Sequence, residues 1–285
     1  MICAVVLAAG LGVRLRPLTA TVPKALCPVG NVPLLDRALD RLAALGLAGP
    51  AAVAVNASYL ADRVVAHVGD RARLSVEPDG PLGTGGALAR LRGWVDGRGV
   101  LVGNADAYLA AAAPAGADVA ALLDGWDGRR VRLLVRPAPA GGAGEFGPWR
   151  FAGFSLLPWD RVRALPDTPG ELWREVWRPA EADGELDCVP YAGRYLDCGT
   201  PRDYLAANLD AVARAGGSIV AAGAAVPGAV TDSVVGAGAT VRGTATRVVV
   251  WPGAEVAAGE RLADAIRLPD GATVPAPPLT PAPTP

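Results

Sequence analysis

Apolar positions along this chain alternate between two rhythms. Residues 2–8 form a continuous apolar run, the pattern of a strand buried on both faces. Leu34, Leu35, Ala38, Leu39, Leu42 and Leu45 recur at helical spacing, and Gly46 stands where a helix cap belongs. The alternation continues with a strand over 51–55, a helix over 59–68, a strand around Leu74 and Val76, and a helix over 85–91 after a glycine loop. A buried strand over 100–102 then ends at Asn104-Ala105-Asp106. This order predicts an α/β fold with a mixed, mostly parallel sheet. Ligands of such sheets bind beyond the carboxyl ends of the strands, so the Gly10 loop, the Gly83 loop and Asp106 are expected to face one crevice.

The second half reads differently. Residues 131–157 are β-like and enclose a loop over 137–147, rich in Pro, Gly and Ala, which is expected to cover a site. A helix follows over 171–182, then a strand over 194–196 ending at Asp197, then a helix over 201–215 with Thr200 as its N-cap. After Gly216 the chain turns to Ala, Val and Gly, with apolar residues six apart: Val220 and Val226, Val235 and Val241, then Val250, Val256, Leu262, Leu268 and Val274. Six is the step of a left-handed β-helix, so a short, irregular one is expected over 216–274. The register breaks between these blocks, and chance spacing in a Val-rich segment is the alternative. Residues 275–285 form a Pro-rich tail, expected to be extended.

Composition narrows the function. A net charge of −1 argues against a nucleic-acid partner. Cys3, Cys27, Cys188 and Cys198 lack zinc-ligand spacing, and one histidine, His67, excludes a multi-histidine centre; packing is the expected role of all five. The seven tryptophans are likewise expected in the core or at interfaces. The apolar N-terminus has no basic residues before it, and no run approaches the ~18 apolar residues of a membrane span. A cytoplasmic location is expected. The preference for Arg over Lys, with abundant Ala, suggests a GC-rich bacterial genome.

That preference makes one position stand out. The chain has 26 arginines and a single lysine, Lys24. An ammonium is a compact point charge and a guanidinium a planar fork, so position 24 is expected to need the former. Lys24 closes a run in which Gly10 and Gly12 follow a strand and Arg14, Arg16, Pro17, Thr19 and Pro23 come after. Glycines let backbone N–H groups approach phosphate oxygens, and the cations neutralise them. A surface location is the competing account of Arg14 and Arg16. Helix capping is that of Thr84 and Asp197, a turn that of Asp106, and close helix packing that of Gly85 and Gly86.

The run Leu7-Ala-Ala-Gly-Leu-Gly-Val-Arg-Leu-Arg-Pro-Leu-Thr19 with Pro23-Lys24-Ala-Leu-Cys-Pro28 resembles the signature of sugar-1-phosphate nucleotidylyltransferases, the NDP-sugar pyrophosphorylases. Pro81-Leu-Gly-Thr-Gly-Gly-Ala-Leu88 resembles their second nucleotide loop, Val102-Gly-Asn-Ala-Asp106 the strand end carrying a metal-binding aspartate, and Tyr195-Leu-Asp-Cys-Gly-Thr-Pro201 with Ala207-Asn208 the acceptor-side motif. The resemblance implies a Rossmann-like nucleotidyltransferase domain over 1–215. It also implies attack of a sugar-1-phosphate on the α-phosphorus of an NTP, with pyrophosphate leaving. Arg14 and Lys24 would be catalytic. Leu7, Ala8, Ala9, Gly10, Gly12, Val13, Gly83, Thr84, Gly85, Asn104 and Asp106 would bind the nucleotide. Gly147, Arg150 and Asp197 would bind the acceptor, and Asp106 with Asp197 would hold Mg²⁺, a hard ion that takes oxygen ligands. NTP and sugar-1-phosphate are the implied partners, and the C-terminal segment is the expected contact in a homo-oligomer.

Two departures leave other readings open. Val13 replaces the Thr or Ser that usually precedes the signature Arg. Where many members carry a Glu-Lys pair, Phe146-Gly147 runs through Pro-Trp-Arg150 into Phe151, with no second lysine available. A polyol, amino-alcohol or phosphonate acceptor fits that shortening, and a nucleotide- or NDP-sugar-binding homologue without turnover fits the lost groups. The shortening is closer to the muramate uridylyltransferases, the C-terminal pattern to the mannose-1-phosphate guanylyltransferases. Lys24→Ala is expected to lose most pyrophosphate release with the cognate pair, and Lys24→Arg to be impaired as well, because the fork does not occupy the space of a point charge; unchanged turnover in either variant contradicts the assignment.

Overall fold

The computed structural model describes residues 1–110, 116–139 and 141–277, in two compact units. The first comprises Met1–Leu11, Val22–Leu26 and Leu34–Tyr195. Its seven-stranded sheet has the spatial order Leu186–Pro190, Val131–Pro137, Trp149–Leu157, Gly99–Asn104, Ile2–Leu7, Val53–Ala57, Arg73–Val76. Trp149–Leu157 runs antiparallel to both of its neighbours, and the remaining pairs are parallel. This is the mixed, largely parallel α/β sheet that the alternation predicts.

Burial explains the apolar run at the N-terminus. Ala4 and Val6 pack on one face of the sheet with Leu35, Leu39 and Val64, from the helices Leu34–Ala44 and Ala61–Val68. Cys3 and Val5 pack on the other with Leu88 and Ala89, from the helix Gly83–Arg90. A strand covered on both sides has no face left for polar residues. The cysteines follow the same logic: all four are free, Cys3, Cys27 and Cys198 are buried, and burial pushes the Cys3 thiol up to about 11. His67 lies within 2.8 Å of Asp36.

Element boundaries shift where turn chemistry intervenes. The strand expected at 51 begins at Val53, because Ala52 and Val53 both donate their N–H to the Gly49 carbonyl in a turn. The helix expected at 59 begins at Ala61, because Leu60 is left-handed, with φ 49°. The helix expected over 171–182 is instead a π-turn, Trp173–Trp177, running into the α-helix Arg178–Ala182. Pro179 has no N–H to offer the Glu175 carbonyl, and the chain widens just before it. Among the described residues no helix is long and apolar enough to cross a membrane.

The second unit comprises Gly12–Thr21, Cys27–Pro33 and the described chain from Leu196. Thr200 caps the helix Pro201–Ala215 as expected, its Oγ1 accepting from the Asp203 N–H at 3.2 Å. Inside this unit the Asn208 Oδ1 accepts from the Gly30 N–H at 2.9 Å, and the Tyr204 hydroxyl donates to the Pro28 carbonyl and accepts from Trp251 Nε1. Burial pushes the Tyr204 phenol well above its ordinary range. Downstream, parallel strands stack with partners 15 residues apart: Ile219 on Val234, Val234 on Val249, Thr240 on Glu255. The last parallel step lengthens to 17, with Thr244 on Arg261, before Thr273–Pro275 closes the stack antiparallel. The six-residue step therefore occurs within each coil, from Val235 to Val241 and from Val250 to Val256. The nine remaining residues of each fifteen-residue coil are what breaks the register. Asp232, Arg247 and Asp264 are all left-handed, one at the same corner of successive coils. There Arg247 grips the Asp264 carboxylate with two hydrogen bonds, at 2.7 and 2.5 Å. Of the Pro-rich tail, residues 278–285 lie outside the described residues, as does residue 140 of the loop over 137–147.

Thr200→Ala should lower stability by about 1 kcal/mol by removing an N-cap acceptor, and Thr200→Ser should restore most of it; thermal and urea denaturation of the three proteins checks both.

Candidate active site

Three strand ends of the first unit converge on a cavity of about 420 Å³. Leu7, Ala9, Gly10 and Leu11 extend from the first strand, Asn56 lies on the second, and Asn104 and Asp106 end and follow Gly99–Asn104. Pro81, Gly83 and Thr84 close one side, and Glu171 reaches in from the chain before the π-turn. The Gly10 loop, the Gly83 loop and Asp106 thus share one crevice, as the sheet order predicts. An ideal Cβ on Gly10 would meet nothing within 4 Å, so packing does not explain that glycine; its absent side chain leaves room in the cavity.

Lys24 and Asp106 form the main charge pair of the crevice. The Nζ donates to the Asp106 Oδ2 at 2.5 Å, with the ammonium nearly buried and the carboxylate about one-third exposed. A short turn, Lys24–Leu26, holds the lysine. A buried ammonium needs a partner or an incoming anion, because its desolvation is otherwise uncompensated.

A polar frame lies beneath the cavity floor. Asn56 Oδ1 accepts from the Ala8 N–H at 2.7 Å, and its Nδ2 donates to Glu77 Oε1 at 2.8 Å. The second carboxylate oxygen of Glu77 accepts from the Leu82 N–H at 2.9 Å. Glu77 is only 2% exposed, so both of its oxygens serve this frame and tie the glycine loop to the Pro81–Gly83 turn. The Ala8 bond fixes which way the Asn56 amide points.

The Gly83–Arg90 helix starts under a clasp. Thr84 Oγ1 donates to Glu171 Oε2 at 2.8 Å and accepts from the Leu172 N–H at 2.7 Å, and the Gly85 N–H reaches the Gly170 carbonyl at 2.8 Å. A Cβ on Gly83, which has φ 74°, would fall 2.4 Å from the Gly170 oxygen, and one on Gly85 would meet the same atom at 3.2 Å. Packing against residues 170–171 and its left-handed φ therefore require glycine at 83, Gly85 sits in a tight contact with the same residues, and Gly85 does not line the cavity.

The remaining expected site residues lie elsewhere. Ala8 takes part through its N–H alone. Gly12, Val13, Arg14 and Asp197 belong to the second unit, where Arg14 Nη2 lies 3.4 Å from Asp197 Oδ2 in an exposed pair. Gly199 leaves space for that pair: a Cβ there would sit 2.8 Å from Arg14 Nη2. Gly147, with φ 58°, turns the chain between Phe146 and Trp149, and Arg150 lies on the strand Trp149–Leu157 with its Nε buried and unbonded. Neither Gly147 nor Arg150 lines the cavity.

Residues 3–121 match the Nucleotidyl transferase family. An N-acetylmuramate α-1-phosphate uridylyltransferase from Caulobacter vibrioides is 33% identical, over 72% of this chain and 95% of its own length. The chain belongs to the sugar-1-phosphate nucleotidyltransferase family. A mannose-1-phosphate guanylyltransferase from Mycobacterium tuberculosis is 31% identical over 73% of this chain and 64% of its own length. A solved Bacillus anthracis structure, described as a glucose-1-phosphate thymidylyltransferase in complex with sucrose, aligns with a TM-score of 0.63 over 74% of this chain and 95% of that one; at 17% identity it speaks to the fold alone.

Membership in this family makes the chain a nucleotidyltransferase and gives the cavity its chemical setting. Asn56 and Glu171 were absent from the sequence-derived site. Asn56 is the last residue but one of its strand and Asn104 the last of its own, and a polar residue late in a buried run was a usable signal. Glu171 is separated by 87 residues from the Thr84 it contacts, and nothing local announced it. Glu77→Gln should cost about 1–3 kcal/mol, because one end of the new amide must present N–H to a buried N–H donor. The Michaelis constant for the nucleotide should rise with it; denaturation and initial-rate kinetics check the two effects.

Proposed function

We propose that this chain transfers a nucleoside monophosphate from an NTP to a sugar-1-phosphate, releasing pyrophosphate. The observation that carries the reading is the nearly buried Lys24 ammonium on Asp106, at the edge of a crevice lined by a glycine loop. In this reading the triphosphate lies along Leu7, Ala8, Ala9, Gly10, Gly12 and Val13, with Gly83, Thr84 and Gly85 opposite. Lys24 neutralises the α-phosphate region, Arg14 the leaving phosphates, and the acceptor lies toward Gly147, Arg150 and Asp197. Two anions must approach one another, so catalysis is chiefly charge neutralisation and positioning. A phosphate monoester is already ionised at neutral pH, and no general base is required.

Mg²⁺ is the metal this reading implies. Among the described residues no three His, Cys, Asp or Glu side chains are grouped as ligands. Such an ion is commonly held by one or two carboxylates together with substrate phosphates and water. Asp106 and Asp197 are the residues that would hold it, each a partly exposed hard oxygen donor now paired with a cation. When bound, the ion would stabilise negative charge on the phosphates.

Residues 1–215 form the catalytic part in this reading, and 216–274 a short left-handed β-helix. The six-residue step inside each coil and the recurring left-handed corner support that assignment. The curated relatives differ in base and in sugar, so they carry the reaction class to this chain, and the cavity must supply the selectivity.

A matrix of the four NTPs against sugar-1-phosphates, read by pyrophosphate release, tests the reading. At least one pair should turn over, EDTA should abolish the activity and Mg²⁺ restore it. Asp106→Asn and Asp197→Asn should each lower kcat by about 100-fold, in the range expected for loss of one electrostatic contact to the transition state. No release with any pair would overturn the assignment.

A further inference from the structure

The Gly83–Arg90 helix begins at the crevice, where a helix N-terminus ordinarily supplies a phosphate site. Here its first N–H groups are already taken. The Thr84 N–H donates to Glu171 Oε2 at 3.4 Å, and the Gly85 and Gly86 N–H groups share the Gly170 carbonyl at 2.8 and 3.3 Å. The positive end of the helix is thus answered inside the protein. Glu171 also puts a negative charge where a phosphate would otherwise be held, and like charges repel.

Only half of that carboxylate is committed. Oε2 accepts from Thr84 Oγ1 at 2.8 Å as well as from the Thr84 N–H, whereas Oε1 has no hydrogen-bond partner among the described residues. Oε1 lies beside Gly83, where a Cβ would approach it to 2.8 Å. Glu171 is exposed and lines the crevice together with Gly83 and Thr84. No cation balances it. Asp106, the other carboxylate of the crevice, is paired with Lys24, whereas Glu171 has no ion pair among the described residues. Glu171 also lines an adjoining recess of about 180 Å³, with Ser155, Trp173 and Trp177, and among the described residues no Lys or Arg side chain lines either space.

We propose that Glu171 is a specificity-determining residue whose free oxygen accepts a hydrogen bond from a ring hydroxyl of a substrate, either the ribose of the NTP or the ring of the sugar-1-phosphate. This rests on the sugar-1-phosphate reading above. Both substrates are anionic at one end and carry hydroxyl donors at the other. An ionised carboxylate only accepts, so it gains a charge-assisted bond from a hydroxyl and is repelled by a phosphate. Uncompensated at the Gly83 side, it tells the two ends apart. The phosphates are directed toward the glycine loop and Asp106, where Lys24 supplies the balancing charge, and the hydroxyl-bearing ring toward Thr84 and Glu171. The clasp on Thr84 has a use in this arrangement beyond closing the helix start: it fixes one oxygen and so aims the other.

The test replaces hydroxyls by fluorine, which cannot donate. The 2′- and 3′-deoxyfluoro analogues of the best NTP, and the deoxyfluoro analogues of its sugar-1-phosphate partner at each ring hydroxyl, are compared with the parent compounds by pyrophosphate release. At one position fluorine should lower kcat/KM by about tenfold or more, the size of one charge-assisted hydrogen bond, and the substrate that carries this position identifies the ring Glu171 meets. Glu171→Gln keeps an acceptor for Thr84 and turns the free oxygen into an amide donor, so the penalty at that position should fall to about twofold while the penalties elsewhere stay unchanged. Circular dichroism establishes that the variant is folded; if it is not, Glu171→Asp, which withdraws the carboxylate by one methylene, supplies the comparison. A wild-type scan in which no position is sensitive, or a penalty that the folded variant leaves intact, overturns the proposal and leaves the sugar-1-phosphate reading standing. Failure of every parent pair overturns that reading, and this proposal with it.

Discussion

Burial of the central strands on both faces is the constraint on which the first unit depends. Ile2–Leu7 and Val53–Ala57 are covered by helices on either side, so polar side chains are tolerated only where the strands run out. Asn56, Asn104 and Asp106 all lie at such ends, which concentrates the chemistry of the sheet at one edge. Polar groups brought there must be paired or turned toward a ligand. Glu77 and Asn56 are paired, and they hold the glycine loop and the Gly83 turn in register. Lys24 and Asp106 are paired too, and Asp106 lines the crevice.

The rest of the crevice is built by close approach. Residues 168–171 lie so near the start of the Gly83–Arg90 helix that a side chain at 83 would collide with the Gly170 carbonyl. That contact brings Glu171 to the cavity wall and leads directly into the π-turn, so one segment supplies both a carboxylate and two tryptophans. The second unit solves a different problem. Its coils repeat every 15 residues and turn a left-handed corner at Asp232, Arg247 and Asp264, where an ion pair between neighbouring coils holds the Asp264 carboxyl below its usual range.

Much of this was legible in the chain itself. Helix and strand alternation, the Thr200 cap and the shared crevice all rest on local pattern or on the topology that local pattern implies. The errors have local causes as well: a turn at Gly49, a left-handed Leu60, and Pro179 acting on the carbonyl four residues earlier. The six-residue repeat was real but incomplete, because a coil of fifteen cannot hold a whole number of such steps. Trp177 is buried in the core as expected, whereas Trp173 is more than one-third exposed.

The sequence by itself determined the fold class and the reaction family. Those depend on periodicity and on residue types held at short spacing, which a linear chain displays. Only the tertiary structure decided that Gly83 and Gly85 answer to Gly170, that Glu77 spends both oxygens inside the protein, and that Ser155 and Trp177 border one recess. Each of these joins groups distant in sequence through contacts of a few ångströms, and such contacts exist only once the apolar faces have packed.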